Sequence, residues 1–208
     1  MKRLYLLRHG QTEFNVKKLV QGRCDSPLTD LGRQQAGMAA AWLKAHGVVP
    51  DKVVSSPLGR AMDTAQLVAT ELLGPDAAAE PCEGIIERCY GTFEEGPHDA
   101  LPTDVWDPGE DLVPFGGEGS KALQERMVAT LTNLMGAKGI ETLLAVSHGS
   151  ASRQFIKAVA PGGFEFPTKL PNCAIMIFDF EEEKSGEEGN APQSKFILQQ
   201  IIDPQQSH

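Results

Sequence analysis

Leu4-Tyr5-Leu6-Leu7 and Thr142-Leu143-Leu144-Ala145-Val146 are two short apolar runs, and each opens onto a histidine followed by glycine. Runs this short and this apolar, bounded by polar residues, read as strands buried on both faces of an α/β sheet. The first leads into Arg8-His9-Gly10 and the second into Ser147-His148-Gly149. In parallel α/β sheets ligands bind outside the carboxyl ends of the strands. Two such ends lying side by side bring both imidazoles to one place. A third run, Lys52 to Ser55, leads into Ser56-Pro57-Leu58-Gly59-Arg60. Ser56 suits a helix cap and Pro57 the first helical position, so Arg60 falls in the first turn. Free N–H groups and the macrodipole at such a helix start favour an anion beside it. Gly10 allows the backbone to bend and to approach a ligand closely.

The remaining segments fit a three-layer α/β/α sandwich with a mostly parallel central sheet, residues 1–208 forming one domain. Thr29-Asp30 precedes an Ala-rich helix from Leu31 to His46, closed by Gly47. Pro57 to Leu73 is a helix ended by Gly74-Pro75, and a short strand falls around Ala79 to Cys82. Tyr90 to Gly117 carries Pro97, Pro102, Pro108 and Pro114 and reads as irregular, with one short helix near Ala100 to Trp106. Loops of that length in compact domains tend to be functional. Glu118 to Ala137 and Gly149 to Val159 are helices. Ala174 to Phe180 and Lys195 to Ile202 are strands joined by an acidic loop containing Glu181-Glu182-Glu183 and Glu187-Glu188.

The 208-residue chain has a net charge of −9 and a pI near 5.0, which argues against nucleic acid or an anionic membrane as partner. Cys24, Cys82, Cys89 and Cys173 show no CxxC pairing or metal-ligand spacing. Met1-Lys2-Arg3 leads into only four apolar residues, no leader of the secretory type, and no run reaches the length of a membrane span. A cytoplasmic protein is expected. The last two strands lie at a sheet edge, which invites pairing unless charge discourages it, so monomer and homodimer are both admitted.

A neutral imidazole is a nucleophile that a nearby cation can present to a phosphoryl group, which makes His9 beside Arg8 the candidate centre. Gln11 to Leu28 is too polar for core. Asn15, Gln21 and the Gly22 N–H are candidate phosphate donors there, with the Thr12 hydroxyl. Asp25-Ser26-Pro27 reads as a turn. Lys17, Lys18 and Arg23 read first as solvated surface; the site's mouth is expected from the residues after Asn15 and the Tyr90 to Gly117 loop, with Arg23, Phe14, Trp106 and Phe115 as its walls. Glu87 follows Ile85-Ile86, where an apolar rim raises a carboxyl's pKa enough for acid catalysis; the alternative is a surface carboxylate paired with Arg88.

Together these residues resemble the histidine phosphatase superfamily, in the branch related to cofactor-dependent phosphoglycerate mutases. The likeness runs through Leu6 to Asn15, Gln21 to Gly32, Ser55 to Ala61, Glu87 with Tyr90-Gly91, Glu94 to Gly96, Gly116 to Glu118, and Val146 to Gly149. Gly119 follows Glu118 where many relatives have serine. The resemblance implies a phosphohistidine intermediate on His9 and a phosphate pocket from Arg8, Arg60 and His148, with Glu87 as proton donor. Asn15, Gln21, Gly22 and Asn172 match positions lining that pocket, and Gly149 belongs to the second His-Gly. It implies neither metal nor cofactor, and a small phosphorylated metabolite as partner. The expected activity is phosphomonoester hydrolysis. The alternatives are phosphoglycerate mutase activity and, more remotely, an inert binding protein on the same fold.

Overall fold

The computed structural model describes residues 1–160, 170–182 and 194–206. Six strands form one sheet: β1 (Lys2–Arg8), β2 (Lys52–Ser55), β3 (Glu80–Pro81), β4 (Thr142–Ser147), β5 (Ile175–Glu182) and β6 (Ser194–Ile202). Their order is β3-β2-β4-β1-β5-β6. The pairs β2–β3, β2–β4 and β1–β4 are parallel, while β5 and β6 close the sheet antiparallel. The helices are α1 (Glu13–Lys17), α2 (Asp30–Ala45), α3 (Gly59–Leu73), α4 (Ser120–Gly136) and α5 (Gly149–Val159). Among the described residues no helix is long and apolar enough to cross a membrane.

The alternation of side chains along each strand produces the three layers. Leu4, Leu6, Leu143 and Ala145 point to one face and meet Leu123, Met127 and Leu131 of α4 with Phe155 and Ile156 of α5. Tyr5, Leu7, Leu144 and Val146 point to the other and meet Ala36, Ala39 and Leu43 of α2 with Ala65 and Val68 of α3. With both faces covered, a strand shows no polar alternation, which is why these runs are apolar throughout.

Four expectations change. The helix after β2 starts at Gly59, not Pro57, and Ser56 does not cap it. No helix forms over Ala100 to Trp106; the excursion instead contains short 3-10 turns at Gly91–Phe93, His98–Ala100 and Val113–Phe115. Prolines every few residues deny it a continuous hydrogen-bond ladder. Gly10 is needed for packing: a Cβ there would run into the Gly32 carbonyl in the first turn of α2, rather than into a ligand. The acidic loop at 183–193 lies outside the described residues, Glu181 and Glu182 belonging to β5.

Register positions the histidines. Leu7 pairs with Val146 and Arg8 with Ser147, so the next residue on each strand is a histidine, and the His9 N–H donates to Ser147 O at 3.0 Å. Ser55 also pairs with Val146, which delivers Ser56 and α3 to the same end of the sheet.

Candidate active site

A cavity of about 410 Å³ opens at these strand ends, with Arg8, His9, Arg60 and Glu87 at its inner end. The His9 and His148 rings meet edge to face, centroids 5.1 Å apart. His148 is fully buried and stands behind His9, not at the cavity surface.

His9 Nδ1 lies 2.7 Å from Gly10 O. A carbonyl only accepts, so Nδ1 carries the proton and Nε2 keeps its lone pair. Burial, then Arg60 and Arg8, holds the His9 pKa well below 6.5, and the ring is neutral at physiological pH. His148 Nε2 lies 2.7 Å from Ser56 Oγ. With the serine hydroxyl donating, the His148 proton sits on Nδ1, a buried nitrogen that has no partner among the described residues. Burial and then Arg60 keep this ring neutral as well.

The guanidiniums are held by carbonyls at their tips. Arg60 Nη1 donates to Cys24 O and Nη2 to Gly22 O, each at 2.7 Å. Arg8 Nη1 donates to Leu170 O, and its Cζ lies 5.3 Å from the centre of the Trp106 ring. Both Nε–H groups remain buried without a partner among the described residues. Burial lowers the Arg8 pKa to about 10, which leaves it cationic at neutral pH. Unpaired buried donors on two arginines and a histidine fit an oxyanion, because such groups are costly to leave unsatisfied.

Glu87 is buried but not in an apolar rim. Its Oε1 accepts from the N–H groups of Arg88 and Ala151, both at 2.8 Å, and its Oε2 from Ser150 at 3.2 Å. It therefore sits on the start of α5, a favourable seat for a carboxylate. Nor does it pair with Arg88, whose fully buried guanidinium turns away to Glu118 O at 2.7 Å, Ser120 Oγ at 2.8 Å and Ser150 Oγ at 3.0 Å.

Remote carboxylates cap two further helices. Asp25, read from sequence as part of a turn, accepts from Gly59 N at 2.9 Å and Arg60 N at 3.4 Å. The start of α3 is thus occupied, and that corner is cationic through the Arg60 side chain instead of through free N–H groups. Glu110 accepts from Lys121 N at 2.9 Å and stands in for the side-chain cap that Gly119 cannot provide.

Asn15, Gln21, Gly22, Gly149 and Asn172 line the cavity. Asn15 Oδ1 accepts from Thr12 N and Asn172 Nδ2, both at 3.2 Å, which leaves its amino group free to donate. Gly149 has no room for a Cβ between Trp106 and Arg8. Thr12 does not reach the cavity. It is fully buried, caps α1 and donates to Gln21 Oε1 at 2.9 Å. Arg23 points outward to Glu118 at 3.7 Å. Of the supposed mouth walls, Trp106 lines the cavity, whereas Phe14 and Phe115 do not, Phe115 meeting Phe93 edge to face with centroids 5.0 Å apart.

The sequence reading missed Ser56 as the partner of His148; Lys18, Tyr90 and His98 line the cavity from the two segments expected to form its mouth, without having been singled out there. Adjacency of Ser56 to a strand end was the available signal for the first; nothing local marks the others. Among the described residues no group of three His, Cys, Asp or Glu could hold a metal ion.

Neutral imidazoles and guanidiniums gathered at parallel strand ends characterise a protein that handles phosphoryl groups. A model of the histidine phosphatase superfamily (branch 1) matches residues 4–188, and the chain belongs to that superfamily. It is 33% identical over 190 residues to a probable phosphoglycerate mutase GpmB of Proteus mirabilis, covering 87% of this chain and 86% of that one. A mutant phosphoserine phosphatase from Entamoeba histolytica, solved with phosphoserine, superposes with a TM-score of 0.76 at 28% identity, covering 99% and 98% of the two chains. Phosphoglycerate mutase from Bacillus anthracis shares the fold, with a TM-score of 0.73 at 22% identity over 85% and 87%.

Proposed function

We propose that this chain is a phosphomonoester hydrolase acting through a phosphohistidine on His9. The observation that carries the reading is the fixed His9 tautomer: a neutral ring whose Nδ1 is tied to Gly10 O, with Nε2 beside two guanidiniums that retain unpaired N–H groups.

Nε2 attacks phosphorus as the P–O bond to the leaving group breaks. The Arg8 and Arg60 N–H groups, with His148 Nδ1, take the charge spread over the equatorial oxygens. Glu87 gives its proton to the departing alkoxide. Its Oε2, which accepts from one N–H only, keeps a lone pair to carry that proton. The resulting carboxylate then removes a proton from water, which attacks the phosphohistidine, releases inorganic phosphate and restores neutral His9. Positioning and fixed charge supply most of the acceleration, and the substrate is a small phosphorylated metabolite.

A second reading, transfer of the phosphoryl group between positions of a phosphoglycerate, is favoured by the relative named as a probable phosphoglycerate mutase. Measuring phosphate release against isomerisation of 3-phosphoglycerate, with and without 2,3-bisphosphoglycerate, separates the two. The expected result is release exceeding isomerisation under both conditions. Fast isomerisation with negligible release would replace the hydrolase by the mutase.

A further inference from the structure

The carbonyl that fixes the His9 tautomer belongs to the Gly10–Gln11 peptide, and the other end of that peptide is held from outside the cavity. Gly10 O accepts from His9 Nδ1 at 2.7 Å, while the Gln11 N–H of the same planar unit donates to Gln35 Oε1 at 2.9 Å. Gln35 is buried on α2, and its Nε2 donates to Gln205 Oε1 at 2.9 Å, in the turn that follows β6. Gln205 Nε2 donates in turn to Asn172 O and Asp203 Oδ1, both at 3.1 Å. Asn172 leads back to the nucleophile: its Nδ2 donates to His9 O at 3.1 Å and to Asn15 Oδ1 at 3.2 Å. His9 O also accepts from the N–H of Cys173 at 3.3 Å. Cys173 is buried with a left-handed φ of 57°, a conformation kept where the surroundings enforce it. The amide orientations follow from the two ends. The chain begins at a backbone N–H, which only donates, and reaches a backbone carbonyl, which only accepts, so each glutamine has one orientation that satisfies it.

We infer that Gln35 and Gln205 are a pair of positioning residues that aim His9 Nε2 at phosphorus by gripping the two peptides that follow the nucleophile. Gln35 holds the Gly10–Gln11 peptide, whose carbonyl takes the Nδ1 proton. Gln205, through Asn172, holds the carbonyl of His9 itself. The inference rests on the phosphohistidine reading and adds to it two residues that do not line the cavity. A bond to the N–H of a peptide polarises its carbonyl and makes it a better acceptor. A peptide left free to tilt would carry the ring with it, and in-line attack loses rate steeply when a reacting atom is misplaced by a fraction of an ångström.

The test measures phosphate release from 4-nitrophenyl phosphate by the parent, Gln35→Leu and Gln205→Ala, and the binding of vanadate and inorganic phosphate to each by titration calorimetry. Gln35→Leu leaves the Gln11 N–H without its acceptor, and kcat/KM should fall about tenfold. Gln205→Ala keeps that bond and should cost about threefold. Because the two residues belong to one chain of bonds, the double variant should lose no more than about twofold beyond Gln35→Leu. Vanadate resembles the five-coordinate phosphoryl group and should lose affinity by about the factor lost in kcat/KM. Inorganic phosphate is four-coordinate and bonds no ring nitrogen, so its affinity should stay within about twofold of the parent. Gln205 stands in a half-buried turn, so Gln205→Ala carries the same prediction should the loss of buried Gln35 prevent folding. Unchanged kcat/KM in the folded variants overturns the proposal, and so does equal weakening of vanadate and phosphate, the mark of a merely structural role. A parent that releases no phosphate overturns the hydrolase reading alone, since the two anion affinities still judge the pair without turnover.

Discussion

Arg8, His9 and His148 follow directly from β1 and β4, and Arg60 stands in the first turn of α3, whereas Lys18, Tyr90, His98 and Trp106 sit on backbone outside the sheet. The inner end of the cavity is fixed by register. One parallel ladder sets His9 beside His148, and a second delivers Ser56 to hold the latter. The mouth has its own small core instead, Val20, Tyr90, Leu101 and Leu112, with Phe93 and Val105 packed against it. Single backbone bonds clasp its two segments, such as Val20 N to Gly96 O at 2.8 Å and Glu95 N to Val20 O at 2.8 Å. Where the chemistry is common to all substrates, the geometry is built into the sheet. Where the substrate varies, it is left to loops that can change without disturbing the sheet.

The hardest way to break this division is at the nucleophile. On the proposed phosphohistidine mechanism, His9→Ala should reduce phosphate release at least about 10⁴-fold on every ester tested, because only binding and electrostatics would remain. Steady-state release from two three-carbon esters, 3-phosphoglycerate and glycerol 3-phosphate, measures it. A loss confined to one ester would place residue 9 in substrate selection and dissolve the contrast between inner end and mouth.

Next in size is a pH effect specific to the inner end. Both rings are held neutral by burial and by Arg60, with pKa values well below 6.5, while an unfolded histidine titrates near 6.5. Below that pH the unfolded chain takes up protons the folded chain refuses. The stability these two residues contribute is therefore complete above about 6.5 and declines as pH falls. The limiting slope is about 1.4 kcal/mol per pH unit for each ring. Urea denaturation at pH 7, 6 and 5 should show the decline, and His148→Asn should remove about half of the part due to the pair. The same slope in parent and variant would mean that His148 is not held neutral.

These two regions were unequally legible before the structure. Strand runs, helix composition and the paired His-Gly endings placed β1, β2, β4, β5 and β6 and brought Arg8, His9, Arg60 and His148 to one corner, because periodicity and strand-end logic are local signals. The caps were not legible. Asp25, Glu87 and Glu110 each satisfy a helix start tens of residues away or on another element, and no spacing rule reaches that far. Thr12 was placed as a phosphate donor and Arg23 as a wall of the mouth, yet a side chain's direction depends on packing that a sequence does not display: one is consumed by capping α1 and the other turns to Glu118. The mouth was legible only in outline: the residues after Asn15 and the Tyr90 to Gly117 loop line it as expected, but which of their side chains face inward was not. Its residues come from α1's end and from a proline-interrupted excursion whose path is set by tertiary contacts alone.

Tyr90→Phe gives the smallest and most discriminating effect. The Tyr90 hydroxyl donates to Val105 O at 2.8 Å from a side chain buried in the mouth's own core. Deleting it removes one hydrogen bond that ties the wall carrying Trp106 to the residues following Glu87. The stability cost should be about 1 kcal/mol, a fall in melting temperature of about 2–4 °C for a chain of this size. If mouth and inner end are energetically separate, kcat on glycerol 3-phosphate and 3-phosphoglycerate should stay within about twofold of the parent while KM rises, since the loosened wall no longer confines the leaving group. A parallel fall in kcat for both esters would show instead that the excursion holds Arg8 and Gly149 in place through Trp106, making the mouth part of the catalytic frame.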